Sequence, residues 1–240
     1  MAIINFVLQG KGGVGKSLVA SLLAQYYQDQ GVKTMCFDTD PVNRTFASFE
    51  ALKVQAVDIL ENGRVIEAAF DGLIEKIFQA PDDTVIIIDN GASTFLPLCA
   101  YLKDGDIFSF LHDNGHNIKL HTIVTGGQGI LDTMNGLQAL TVNFPDVPVV
   151  IWLNEYFGKT EMNGIIVEES KVIKNAENIH AFIRLEELQR GTFGHNFARM
   201  LKERRTFTEA INSPKYDIMC RQRLVMIKRA IVQQIEQACL

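Results

Sequence analysis

Nowhere in these 240 residues does an apolar run approach the ~20 residues that a membrane-crossing helix requires. Cysteine is scarce: Cys36, Cys99, Cys220 and Cys239 are widely spaced and form no C-x-x-C pair, which argues against both a zinc site and a disulfide framework. The five histidines show no metal-ligand spacing; His112 and His116 are four apart, but Gly115 between them reads as a turn. Trp152 is the one tryptophan and is expected in the core. A basic leader with an apolar segment and cleavage site is also missing, so no secretion signal is expected and a reducing cytoplasm fits best. Internal repeats, linkers and low-complexity stretches are absent. Strand and helix signals alternate instead, which predicts one α/β domain over residues 1–240, a three-layer, doubly wound and mainly parallel sheet.

One stretch carries most of the chemical information. Gly10-Lys11-Gly12-Gly13-Val14-Gly15-Lys16-Ser17 follows the apolar run Ile3–Leu8 and precedes a helical pattern beginning at Leu18. Between a strand and a helix, this is the phosphate-binding P-loop G-x-x-x-x-G-K-[ST]. The glycines let successive backbone N–H groups turn inward towards an anion, and the following helix adds its positive dipole end. Residues Gly10 to Leu18 are therefore expected to bind a nucleoside triphosphate. In that pattern Lys16 reaches the β- and γ-phosphates and Ser17 ligates Mg²⁺.

Two further strands end in acids. Val32–Phe37 leads into Asp38-Thr39-Asp40-Pro41, and Thr84–Ile88 closes on Asp89. Carboxylates at the C-terminal ends of parallel strands face the ligand crevice. Asp89, in the Walker B position, is expected to bind Mg²⁺ through water; Asp40 is a second candidate and Asp38 a third. The unbroken Val/Ile run before Asp89 is what a strand covered on both faces looks like. Asn90-Gly91-Ala92-Ser93-Thr94 reads as a flexible polar turn beside the γ-phosphate.

Elsewhere the periodicity predicts a helix over about 64–79, helical pieces within 97–114 and a strand at Lys119–Val124. Thr125-Gly126-Gly127-Gln128-Gly129 lacks Lys-Ser and is expected to be a tight strand-to-helix turn. A strand over Val147–Leu153 ends at Asn154, whose amide can pair with an adenine edge. Strand signal returns at Ile179–Leu185, and helices are expected over Gly191–Arg205 and 217–238. In the last, Leu224, Ile227, Ile231, Ile235 and Ala238 form an apolar stripe, read as packing on the sheet rather than anchoring to a membrane.

Charge is unevenly spread. Residues 1–180 hold 12 Lys and Arg against 22 Asp and Glu, while residues 181–240 hold 11 against 6. The basic helical region at about 190–240 is a candidate for an anionic partner such as DNA.

The loop is more specific than a general P-loop. Lys11 after the first glycine gives Lys-Gly-Gly-Val-Gly-Lys-Ser, which resembles the deviant Walker A motif of the ParA/MinD ATPases. Phe6–Ser17, Ile88-Asp89-Asn90-Gly91-Ala92-Ser93 and the chain length resemble most closely the ParA-like ATPases of conjugative plasmids, the TraL and StbB group. Val42-Asn43 after Asp40-Pro41, and the lack of a Pro-Pro pair after Asp89, depart from the ParA group proper. The resemblance implies an ATP- and Mg²⁺-dependent homodimer in which Lys11 reaches the partner's nucleotide. It also implies that Asp40 supports hydrolysis, Asp89 is the Walker B acid and Asn154 reads adenine. A plasmid-encoded DNA-binding or transfer protein is the implied partner. The competing expectation is a nucleotide-loaded module that binds DNA or protein with negligible hydrolysis.

Overall fold

The computed structural model describes residues 1–61, 64–66 and 69–240. The chain begins with β1 (Ile3–Val7), α1 (Lys16–Asp29) and β2 (Thr34–Asp38). Three two-residue strands follow, β3 (Gln55–Ala56), β4 (Leu60–Glu61) and β5 (Arg64–Val65), before α2 (Ala69–Phe78) and β6 (Val85–Asp89). Next come α3 (Phe95–Asp104), α4 (Ile107–Asp113), β7 (Asn117–Thr125), α5 (Ile130–Asn143) and β8 (Val149–Asn154). The chain continues through the hairpin β9 (Glu161–Met162) and β10 (Ile165–Ile166), α6 (Lys171–Lys174) and β11 (Ile179–Leu185). It ends in α7 (His195–Lys202), α8 (Phe207–Asn212) and α9 (Ile218–Gln237).

Seven strands form one sheet in the order β11-β8-β7-β1-β6-β2-β3, and every neighbouring pair is parallel. The residues of β6 and β8 are all buried. Their side chains still divide by the two-residue period of a strand. Ile86, Ile88, Ile151 and Leu153 pack with α2, α3, α4 and α5 on one face. Ile87, Val150 and Trp152 pack with α1, α7, α8 and α9 on the other. This is the doubly wound, three-layer sheet of a P-loop nucleotide-binding fold. Each fully buried Ile or Leu contributes about 2 kcal/mol to it.

The apolar stripe of the last helix, Leu224 to Ala238, is buried in the second layer as expected. Its Gln234 also blunts the sheet edge. The Gln234 side chain accepts from the Arg184 N–H at 2.7 Å and donates to the Arg184 carbonyl at 2.9 Å, in the place a further strand would take.

Three expectations are corrected. The helix expected over 64–79 begins at Ala69, because Arg64-Val65 pairs with Leu60-Glu61 as a short antiparallel ladder; residues 67–68 lie outside the described residues. The single helix expected over Gly191–Arg205 is a wide turn at Arg190–Gly194 followed by α7, which stops at Lys202; Arg204 takes φ 54°, a left-handed conformation that ends a helix. The Asn90–Thr94 turn is tight rather than loose, with Asn90 and Thr94 both buried.

Candidate functional site: a nucleotide cleft at the C-terminal edge of the sheet

β1 lies between β6 and β7, where the order of strands along the sheet reverses. The C-terminal strand ends splay at such a reversal and leave a crevice. The P-loop fills that position, leaving β1 and entering α1. Gly15 takes φ 108°, which a side chain would resist, and it lets the loop turn directly into the helix. Gln9, fully buried, anchors the start of the loop. Its Nε2 donates to the Ile123 carbonyl at 2.9 Å and the Thr133 carbonyl at 3.1 Å, tying the loop to β7 and α5.

A cleft of about 510 Å³ opens over the loop, between Gly12–Leu18, the segment Asp40–Thr45 and Ala92-Ser93. Lys16 is buried, and its Nζ donates to the Lys11 carbonyl at 2.9 Å. Burial lowers the Lys16 pKa, while the Asp89 and Asp40 charges work against that shift. Lys11 differs in kind. Its side chain stands about half exposed on the rim, and its Nζ meets Asp132 Oδ2 at 2.8 Å in the first turn of α5.

Asp89 is buried at the end of β6, and neither carboxylate oxygen has a hydrogen-bond partner among the described residues. Burial pushes its pKa up to about 8; the Ser17 hydroxyl and the Lys16 charge act against this, and the Asp38 and Asp40 charges add to it. A buried, unpartnered carboxylate is costly unless a cation or water completes it. Asp89, the Ser17 hydroxyl and Asp40 are oxygen donors of the kind Mg²⁺ selects, so the residues present fit that ion.

Asp38 and Asp40 divide their roles. Asp38 accepts from the amides of Asp40 and Ala47, both at 2.9 Å, so its two oxygens shape the loop that carries Asp40. Asp40 faces the cleft while its Oδ1 accepts from the amides of Val42 and Asn43. This loop is joined to the one after β6. The Thr39 hydroxyl lies 3.1 Å from both the Asp89 carbonyl and Asn90 Oδ1, and the Thr94 hydroxyl donates to Asn90 Oδ1 at 2.7 Å. At Gly91 a Cβ would stand 2.9 Å from Asp40 Cγ, so only glycine permits this approach.

Asn154 reaches the P-loop, but with its amide on protein groups. Nδ2 donates to the Val14 carbonyl at 2.9 Å, and Oδ1 accepts from the Tyr156 amide at 3.2 Å. The predicted residues Gly10 to Leu18, Asp38, Asp40, Asp89 and Asn154 thus gather around one cleft and its floor. Sequence reasoning assigned no role to Gln9 or Asp132, and named Thr39 and Thr94 only as members of the Asp38–Pro41 and Asn90–Thr94 stretches. Only Gln9 had a local signal, a polar residue closing an apolar strand.

The fold and cleft define a P-loop nucleotide-binding protein. Residues 6–213 match the CbiA family, described as the CobQ/CobB/MinD/ParA nucleotide binding domain, and the chain belongs to that family. Among its relatives are two Escherichia coli proteins called Protein TraL, 44% and 42% identical over 240 residues, each alignment covering 99% of both chains. The fold resembles that of MinD from Aquifex aeolicus, solved alone and in a MinC:MinD cell division complex. Both superpose with TM-score 0.53; identity is 12% alone and 13% in the complex, and coverage is 96% of this chain with 97% and 95% of theirs.

Proposed function

We propose that the protein is an ATP-hydrolysing dimerisation switch. The observation that carries this reading is the contrast between the two P-loop lysines. Lys16 is buried in the cleft of its own chain, whereas Lys11 stands on the rim, where a second copy can be reached.

Gly10 to Leu18 bind the phosphates of ATP, and Lys16 leaves the Lys11 carbonyl to meet them. Ser17, Asp40 and Asp89 would hold Mg²⁺, the acids through water, and that ion would neutralise phosphate charge. Asp40 positions the attacking water, and Asp38 fixes the loop on which Asp40 sits. Lys11 leaves Asp132 and completes the partner's site. Because Thr39 and Gly91 couple the 38–45 and 89–95 loops, the presence of the γ-phosphate is read by both together. Asn154 supports the loop floor from beneath and reads adenine only after its amide changes partners.

The resemblance to ParA-like ATPases of conjugative plasmids supports a role in plasmid transfer or positioning with a DNA-binding partner. The basic C-terminal region supports direct contact with DNA phosphates, although Lys228 is paired with Asp29, and Arg199 and Arg205 with Glu203. Among the described residues no helix is long and apolar enough to cross a membrane.

The test is the size of the protein with ADP and with ATP. ATP is expected to give a dimer that Lys11→Ala abolishes, and a monomer in both nucleotides sinks the switch. Phosphate release separates the switch from a nucleotide-loaded binding module: Asp40→Ala is expected to bind ATP and dimerise without turnover.

A further inference from the structure

The segments that follow β2, β6, β7 and β8 each carry a large apolar side chain in water. Val42 follows β2, Leu96 follows β6, Leu131 follows β7, and Tyr156 and Phe157 follow β8. Val42, Leu96 and Tyr156 are 72%, 73% and 68% exposed, too much for residues at the edge of a core. Val42 lines the cleft, and Leu96 adjoins Phe95, whose ring lies 3.0 Å from where a Gly10 Cβ would stand. These residues therefore ring the P-loop, and grouped apolar exposure of this kind marks an interaction surface.

The ring is extended by a loop that is held out rigidly. Arg184 binds Glu155 at the start of that loop and Glu168 at its end, and its Nη1 also donates to the Thr160 hydroxyl at 3.2 Å. The Val167 amide closes the neck onto the Thr160 carbonyl at 3.0 Å, and both residues are buried. Beyond the neck, the β9–β10 hairpin presents Met162, Ile165 and Ile166 to solvent. The base of the loop rests on the turn before α5: a Cβ on Gly126 would stand 2.1 Å from the Gly158 carbonyl oxygen. Leu131 and Asp132 lie in the first turn beyond, and Asp132 holds Lys11. The apolar surface thus continues from the hairpin to Lys11.

We propose that residues 155–168, fastened by Arg184, form the apolar part of the face that meets a second copy of this chain across the nucleotide cleft. The inference rests on the dimer reading above and names the surface that gives the dimer its affinity. Charge favours a second copy as the occupant. Lys11 stands half exposed within the ring, a cation that the phosphates of a two-fold neighbour's nucleotide can receive, while Asp132, also half exposed, is left to water. The clamp adds a reason for rigidity: a loop already ordered loses less freedom on association. Arg184 is a positioning residue, acting through the loop it holds.

The test is sedimentation with Mg²⁺ and a non-hydrolysable ATP analogue, comparing the wild-type chain, Lys11→Ala, the double variant Phe157→Ser/Ile165→Ser, and Arg184→Gln. The double variant is expected to weaken dimerisation at least 10-fold, and Arg184→Gln several-fold, with nucleotide affinity of the monomer unchanged. Dimerisation of the double variant at wild-type strength, while Lys11→Ala stays monomeric, overturns this inference and leaves the switch standing. A wild-type chain that stays monomeric overturns both. Hydrogen exchange on the wild-type chain removes dependence on the variants: amides of 155–166 are expected to gain protection with the analogue, and unchanged exchange in a dimeric sample overturns the assignment.

Discussion

Two buried titratable side chains on nearby strands, Asp89 and His121, show how differently the same burial can be used. His121 on β7 is fully buried, yet both ring nitrogens are satisfied. Trp152 Nε1 donates to Nδ1 at 3.0 Å, so the ring is neutral with its proton on Nε2, which lies 3.0 Å from Asn5 Oδ1. Burial, with the charges of Lys119 and His180 adding to it, pushes its pKa down to about 3. Asp89 on β6 is as deeply buried, and neither of its oxygens has a hydrogen-bond partner among the described residues. A satisfied polar chain specifies how β1, β7 and β8 register against one another. An unsatisfied carboxylate beside a P-loop is a cost that a ligand or a proton removes. Burial alone therefore does not mark a site; a buried carboxylate without a hydrogen-bond partner, set beside a P-loop, points to one.

The largest effect expected is on the satisfied side of that contrast. Trp152→Ala empties the core and leaves His121 Nδ1 without its donor, and is expected to cost about 3–5 kcal/mol by denaturant unfolding. A loss under 1 kcal/mol breaks the claim that this chain of hydrogen bonds is structural.

Asp89→Asn is expected to act in the opposite direction. In the chain free of metal and nucleotide it should stabilise the fold by roughly 2–4 kcal/mol at pH 7, while turnover of ATP is lost. Destabilisation instead would mean that Asp89 has an unrecognised partner.

The pH profile sharpens the same comparison. Asp89 has a raised pKa, so the stability it provides is present in acid and is lost as pH rises from its unfolded value towards about 8. His121 has a lowered pKa, so stability is lost as pH falls from about 6.5 towards 3. Between pH 7 and 5 the first gains roughly 3 kcal/mol and the second loses roughly 2, so the ligand-free chain should change little. Asp89→Asn is expected to unmask the acid-side loss and His121→Gln the acid-side gain. Parallel profiles for the two variants contradict this account.

Gly91→Ala places a methyl group against Asp40 and is expected to cost about 1–3 kcal/mol and to reduce ATP turnover at least 10-fold. The smallest effect on stability belongs to the rim: Asp132→Asn removes a half-exposed ion pair and should cost under about 1 kcal/mol in thermal unfolding. A larger loss would make Lys11–Asp132 a structural bridge.

Much of the cleft was legible in the chain because its parts are local. A P-loop is eight consecutive residues, and a Walker B acid is the end of one apolar run. Asp89 could be placed from Val85–Ile88, and the edge strand β11 from Ile179–Leu185. The helix boundary at Ala69 was not legible, since Val65 and Ile66 continue the apolar period and only pairing with Leu60-Glu61 removes Val65 from the helix. The tight fit of Gly91 on Asp40 was equally hidden, because fifty residues separate them.

By itself, then, the sequence determined that a phosphate-binding loop joins β1 to α1, that acids end β2 and β6, and that a surplus lysine stands in the loop. Those features depend on spacing along one strand or one turn. The tertiary structure alone decided that Lys16 is buried and Lys11 is on the rim, that Asp89 has no hydrogen-bond partner among the described residues, and that Arg184 holds Glu155 and Glu168 together. Each of these depends on which strands lie side by side, and that is set by packing across the whole sheet rather than by any neighbour in the chain.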